Sequence, residues 1–121
     1  MSFSGAPPAI GPFSQGIKVG KFLYTSGAIP LDPATGAVVA GGIEEQTVRA
    51  LQNMKAVIEA AGSQLGKVVK TTIFLTDIDD YGTVNGIYGD FFGTHAPARS
   101  LVQVSRLPRD VLFEIEAVAR L

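Results

Sequence analysis

From Val111 to Ala119 the chain alternates with a strict period of two. Val111, Phe113, Ile115, Ala117 and Ala119 fall on one side, and Leu112, Glu114, Glu116 and Val118 on the other. Successive side chains of a strand project to opposite faces, so this segment is a strand with one wholly apolar face. Such a face must be covered, which requires a sheet with something packed on it. Two helical segments supply the cover. Glu44 to Ala61 repeats apolar residues at three- and four-residue steps (Val48, Leu51, Met54, Ile58, Ala61), with Glu44 and Glu45 in the first turn and Gly62 as the C-terminal cap. Tyr81 to Phe92 places Tyr81, Val84, Tyr88 and Phe91 on one side, capped by Asp79 or Asp80 and ended by Gly93.

The remaining strands follow from local chemistry. Gln15–Val19 and Phe22–Ser26 read as a hairpin turning at Gly20-Lys21, Lys67–Thr76 as a β-branched strand, and Ser100–Ser105 as a strand after a proline-containing loop. Gly5 to Pro12 reads as an irregular arm, and Gly27 to Gly42 as a loop with a turn at Asp32–Gly36. The order β-β-α-β-α-β-β predicts an α+β sandwich, a mixed sheet with two helices on one face. At 121 residues the whole chain, 1–121, fits one domain.

The open side of that sheet is the informative one. In the Lys67–Thr76 segment both alternating sets hold apolar residues, Val69, Ile73 and Leu75 against Val68 and Phe74. Only 17% of residues are charged, against roughly 25% in an average soluble domain. The expectation is that sister subunits cover the open face in a closed cyclic oligomer.

Composition removes several functions. The net charge is −1 with no run of Lys or Arg, so nucleic acid finds no electrostatic footprint. The absence of Cys removes disulfides, thiolate catalysis and Cys-ligated zinc, and fits a reducing compartment. Met1 to Pro8 lacks a basic region followed by an apolar run, and no apolar stretch approaches the roughly 20 residues that span a bilayer. The expectation is a soluble, cytoplasmic protein with no membrane partner.

Arg99 lies just before the fourth strand, where its guanidinium can grip a substrate carboxylate, make a structural ion pair or stand solvated at the rim. Glu114 and Glu116 share the open face. Covered by another subunit, they would be partly desolvated, and either shuttle a proton or form an intersubunit salt bridge. His95, the only histidine, cannot build a zinc site alone and reads as structural. Asp77, Asp79 and Asp80 read as helix caps, because an EF-hand glycine and distal glutamate are missing. Ser26, beside Gly27, either caps a strand end or offers its hydroxyl to a substrate oxygen.

Five ordered segments, Ala9–Gln15, Thr25–Leu31, Val69–Leu75, Pro97–Ser100 and Glu114–Ala117, together resemble the reactive-intermediate deaminase (Rid/YjgF) family over nearly the whole chain. The resemblance implies a chorismate-mutase-like α+β subunit and a homotrimer whose sheets form a central barrel with three clefts between subunits. It also implies 2-iminobutanoate/2-iminopropanoate deaminase activity, yielding a 2-oxo acid and ammonia with no metal or organic cofactor. By position, Arg99 would clamp the substrate carboxylate and Glu114 would orient water and relay protons. Ser26, Gly27 and Asn85 would line the cleft, with backbone around Leu101 helping to hold substrate. Two positions depart from the family pattern: Phe13 stands where Tyr is frequent, and Leu101 where Cys is. Those departures keep open a small-ligand-binding or holdase-like protein without efficient turnover. An RNA-cleaving role, also attached to the family, meets neither a basic stripe nor a histidine pair here.

Overall fold

The computed structural model describes residues 6–9, 11 and 13–121. Five strands and two helices follow in the expected order: β1 (Gly16–Val19), β2 (Phe22–Thr25), α1 (Ile43–Ala60), β3 (Val68–Leu75), α2 (Tyr81–Phe92), β4 (Ala98–Gln103) and β5 (Phe113–Arg120). Residues 6–9 and 11 carry no regular structure, as expected of the arm, whose residues 5, 10 and 12 lie outside the described set. The sheet order is β1-β2-β5-β3-β4. Neighbours are antiparallel except β3 and β4, which are parallel because α2 crosses over between them. β5 thus lies at the centre.

The alternation of β5 is realised residue by residue. Phe113 and Ile115 are fully buried with Val111, Ala117 and Ala119, whereas Leu112, Glu114, Glu116 and Val118 are half-buried on the other face. Leu23, Ile73 and Leu75 join the inner set, and the helices bring Leu51, Met54, Ile58, Val84, Tyr88 and Phe92 onto it. Burying each large side chain stabilises the fold by roughly 1.5–3 kcal/mol, so this layer is the main source of cohesion. Gly62, with φ +93, ends α1 in a conformation that side chains disfavour, and Ser63 N–H returns to the Ile58 carbonyl at 3.0 Å.

Several expectations shift. Val48 is exposed; the buried arc of α1 runs through Thr47, Ala50, Leu51, Met54, Val57 and Ile58, rotated away from Val48. On α2, Tyr81 is exposed and Phe92, rather than Phe91, completes the buried stripe with Val84 and Tyr88. The cap before α2 is Asp77, whose Oδ1 accepts from Asp79 N–H at 2.9 Å; Asp80 occupies the N-cap position without a side-chain bond. A register shift between Val68 and Lys70 makes Val69 a bulge, so Val68 joins the buried face and Val69 stands exposed. The fourth strand begins two residues earlier than expected, which puts Arg99 inside β4, opposite Thr71.

The outer face stays open and apolar at many points: Phe22 and Tyr24 of β2 and Val102 of β4 are 39%, 50% and 44% exposed. No helix among the described residues is long and apolar enough to cross a membrane.

Candidate active site

β2 stops at Thr25, and the ladder with β5 resumes only at Ala28, which exchanges two backbone bonds with Ile115 (2.7 and 3.1 Å). Ser26 and Gly27 bulge out between. Ser26 is tied back by its N–H to the Gln15 carbonyl at 3.0 Å and by its hydroxyl to the Ser14 carbonyl at 2.5 Å. The strand-end capping reading of Ser26 therefore holds, with its oxygen still able to accept.

At Gly27 a side chain would displace Glu114. A β-carbon there would lie 2.7 Å from the carboxyl carbon of Glu114, because the Glu114 side chain rests on the Gly27 backbone. Glu114 comes from the outer face of β5, and burial, followed by the nearby charge of Glu116, raises its pKa above 4.5. A carboxyl group tuned that way exchanges protons more readily near neutral pH than an ordinary one.

These groups border a cleft of about 610 Å³, which Phe13, Ser26, Gly27 and Glu114 line together with the Ala6–Ala9 arm and α1 residues. The loop wall of the cleft has an anchor that sequence reading missed. Asn53, buried in α1, donates both amide hydrogens to the Ile29 and Leu31 carbonyls (3.0 and 2.9 Å) and accepts from Arg49 Nε at 3.1 Å. Its only signal in the sequence is a polar residue beside Met54 in an apolar stripe.

Arg99 lies elsewhere. Its register partner Thr71 is fully buried on the helix-covered face, so Arg99 projects to that face, at the sheet edge formed by β4. Its guanidinium carbon sits 4.9 Å from the centre of the Tyr88 ring and 5.8 Å from that of Tyr81. Asn85 lies between those tyrosines on the same side of α2, and its buried Oδ1 has no partner among the described residues. Leu101, two residues along β4, packs against the core on the same face. The one salt bridge among the described residues joins Arg106 to Asp110, leaving the Arg99 cation without a carboxylate.

The seven candidate residues therefore form two groups. Phe13, Ser26, Gly27 and Glu114 meet at the cleft, whereas Asn85, Arg99 and Leu101 gather at the β4 edge. Thr71 faces inward and Phe74, the partner of Glu114, outward, so Arg99 and Glu114 project from opposite faces of one sheet. Within one chain they do not meet. His95 is held structurally, a ring nitrogen 2.7 Å from the Val68 carbonyl.

The sequence profile of the family described as Endoribonuclease L-PSP matches residues 3–121. A 2-iminobutanoate/2-iminopropanoate deaminase of Salmonella typhimurium is 52% identical over 117 residues, covering 94% of this chain and 91% of that protein. The chain belongs to the Rid/YjgF family. A RutC family protein of Pyrococcus abyssi is 53% identical over 114 residues, covering 94% of this chain and 90% of the relative. Among solved Rid-family structures, that of Escherichia coli TdcF with bound serine shares 46% identity at a TM-score of 0.91. The match covers 96% of this chain and 93% of that one. The mixed sheet with two helices is thus the architecture of Rid proteins.

Proposed function

We propose that this chain hydrolyses reactive 2-imino and enamino acids, such as 2-iminobutanoate and 2-iminopropanoate, to 2-oxo acids and ammonia. The site is completed by a second copy of the chain in a homotrimer whose sheets line a central barrel. The observation that carries this reading is the Glu114 carboxyl, half-buried on the Gly27 backbone and facing a cleft, with its proton affinity raised. The Salmonella relative named for this reaction supports it.

The chemistry asks little of the protein. The C2 carbon of a protonated imine is already electrophilic, so orientation and proton transfer suffice. Glu114, ionised, takes a proton from water as the water oxygen bonds to C2. The same carboxyl returns that proton to the nitrogen and, ionised again, takes the C2 hydroxyl proton as the C–N bond breaks. This leaves a C2 carbonyl and ammonia, which carries that last proton away as ammonium. Arg99 of a neighbouring copy holds the substrate carboxylate with paired N–H donors. Ser26, Gly27 and Asn85 border the substrate, with Phe13 as an apolar wall and backbone near Leu101 as a further hold. Phe13 and Leu101 contribute no hydroxyl or thiol, so neither takes part in proton transfer. The reaction runs without metal or organic cofactor.

Two features support assembly: the outer face exposes Phe22, Tyr24 and Val102, and the two halves of the site lie on opposite faces of one chain. A ligand-binding protein without turnover is the second reading, favoured by Phe13 and Leu101; it binds 2-oxo acids and hydrolyses no imine. RNA cleavage lacks support in the only histidine, which is engaged with Val68.

The test couples a dehydratase acting on serine or threonine to this protein and follows imine decay. The wild type accelerates decay and Arg99→Ala does not. Equal rates for the two would end the deaminase reading.

A further inference from the structure

Arg99 is a long side chain on an edge strand, and a flexible cation binds a carboxylate weakly because its rotamer freedom is lost on binding. No carboxylate of the described chain pairs with it. What touches it is aromatic: the Tyr88 ring at 4.9 Å, with Tyr81 farther out at 5.8 Å. Tyr88 is itself fixed. It is 8% exposed, packs on Phe92 with ring centres 4.7 Å apart at a 45° tilt, and its hydroxyl lies 2.7 Å from Thr71 Oγ1.

Thr71 closes the figure. It is fully buried and is the β3 residue paired with Arg99 across the parallel ladder. The backbone that carries the arginine and the hydroxyl that anchors its platform therefore belong to the same pair of residues. Burial holds the Tyr88 hydroxyl above the ordinary tyrosine range, so the ring remains neutral and its hydrogen bond intact across physiological pH. A cation above such a ring is attracted to its face and leaves its in-plane N–H edge free for a carboxylate.

We infer that Tyr88, anchored by Thr71, is a positioning residue: it holds the Arg99 guanidinium edge-on to the carboxylate of an incoming acid. This rests on the reading of Arg99 as the substrate anchor. The arrangement acts on binding rather than on the chemical step, because the carboxylate contact persists from substrate to transition state.

The test is calorimetric titration of 2-oxobutanoate, the expected product, into wild type, Arg99→Ala, Tyr88→Leu, Tyr88→Phe and Thr71→Val. Each titration gives Kd and the fraction of binding-competent sites. Tyr88→Leu is expected to raise Kd roughly five- to thirtyfold at unchanged stoichiometry, the range a cation–aromatic contact supplies. Tyr88→Phe and Thr71→Val, which keep the ring but free it, are expected to raise Kd about two- to fivefold. A merely structural role would lower the number of sites and leave Kd alone, which overturns the inference. So does wild-type Kd in Tyr88→Leu while Arg99→Ala has lost binding. Should Tyr88→Leu not fold, wild-type Kd in both Tyr88→Phe and Thr71→Val overturns it equally. Undiminished binding by Arg99→Ala instead removes the anchor reading itself.

Discussion

The two faces of the sheet treat polar groups in opposite ways. On the covered face, Thr71 and Tyr88 satisfy each other, and Asn53 closes on two loop carbonyls. On the open face, Glu114 and Glu116 stand two residues apart with no salt bridge among the described residues, and Lys70 reaches Ser100 at 2.8 Å. The covered-face groups Thr71, Tyr88 and Asn53 are satisfied within one chain, whereas at the β4 rim of the same face the buried Asn85 Oδ1 has no partner among the described residues. The open face carries its carboxylates outside any salt bridge of the described residues, and clustered carboxylates beside exposed aromatics are stable in water or against a partner that completes them. Arg99 belongs to the covered face yet sits at its β4 rim, where under the proposed two-copy site it would serve the open face of another copy.

The sharpest attack on that contrast mixes two inactive variants. Arg99→Ala and Glu114→Gln are each expected to lower imine hydrolysis by roughly a hundredfold or more, the size of a lost acid–base or clamping group. Dissociated together and reassembled, they should regain about a quarter of wild-type activity, since a quarter of randomly paired interfaces unite intact partners. A mixture no more active than its parents breaks the two-copy assignment.

Gly27→Ala probes the seat of Glu114. The added carbon displaces the carboxyl, so activity should fall about tenfold through misplacement. The melting temperature should change little, because the atoms met are the movable end of the Glu114 side chain. Wild-type activity in this variant would detach Glu114 from the cleft chemistry. Asn53→Ala tests the covered side. It leaves the Leu31 carbonyl without its Asn53 donor and the Ile29 carbonyl with the Leu31 N–H alone, at roughly 1–3 kcal/mol measured by denaturant unfolding. If its stability matches wild type, the loop wall is held by other contacts.

The smallest effect concerns pH. The folded-state pKa of Glu114 is raised by burial first and Glu116 second. Its contribution to stability is therefore complete below the unfolded value near 4.5 and is lost as pH climbs through the folded value. Glu114→Gln should gain thermal stability over wild type on the alkaline side of that window and none on the acid side. The acid limb of the wild-type rate profile should lie above the ordinary carboxylate range. A limb at or below pH 4.5 would contradict the burial of this group.

Much of this architecture was legible in the chain. The bounds of α2 follow from acidic residues ahead of Tyr81 and Gly93 behind Phe92, both local signals. The inward set of β5 needed only a count of two. The bulge at Val69 escaped because an extra residue leaves no mark in a segment whose two alternating sets both hold apolar residues. Val48 misled for a related reason: a helical stripe has a direction set by its neighbours, and the arc here turns toward Thr47. The candidate residues were named from their positions in the chain, but their division between two faces depends on strand pairing. The contact of Gly27 with Glu114 joins residues far apart in sequence, and Asn53 and Tyr88 gain meaning only from what the fold sets beside them.

The placement of Arg99 and Glu114 on opposite sides of a single sheet has a cellular corollary under the proposed mechanism. A solitary molecule would be mute, so output would depend on abundance more steeply than in proportion, and dilution through a dissociation threshold would silence the enzyme without any inhibitor.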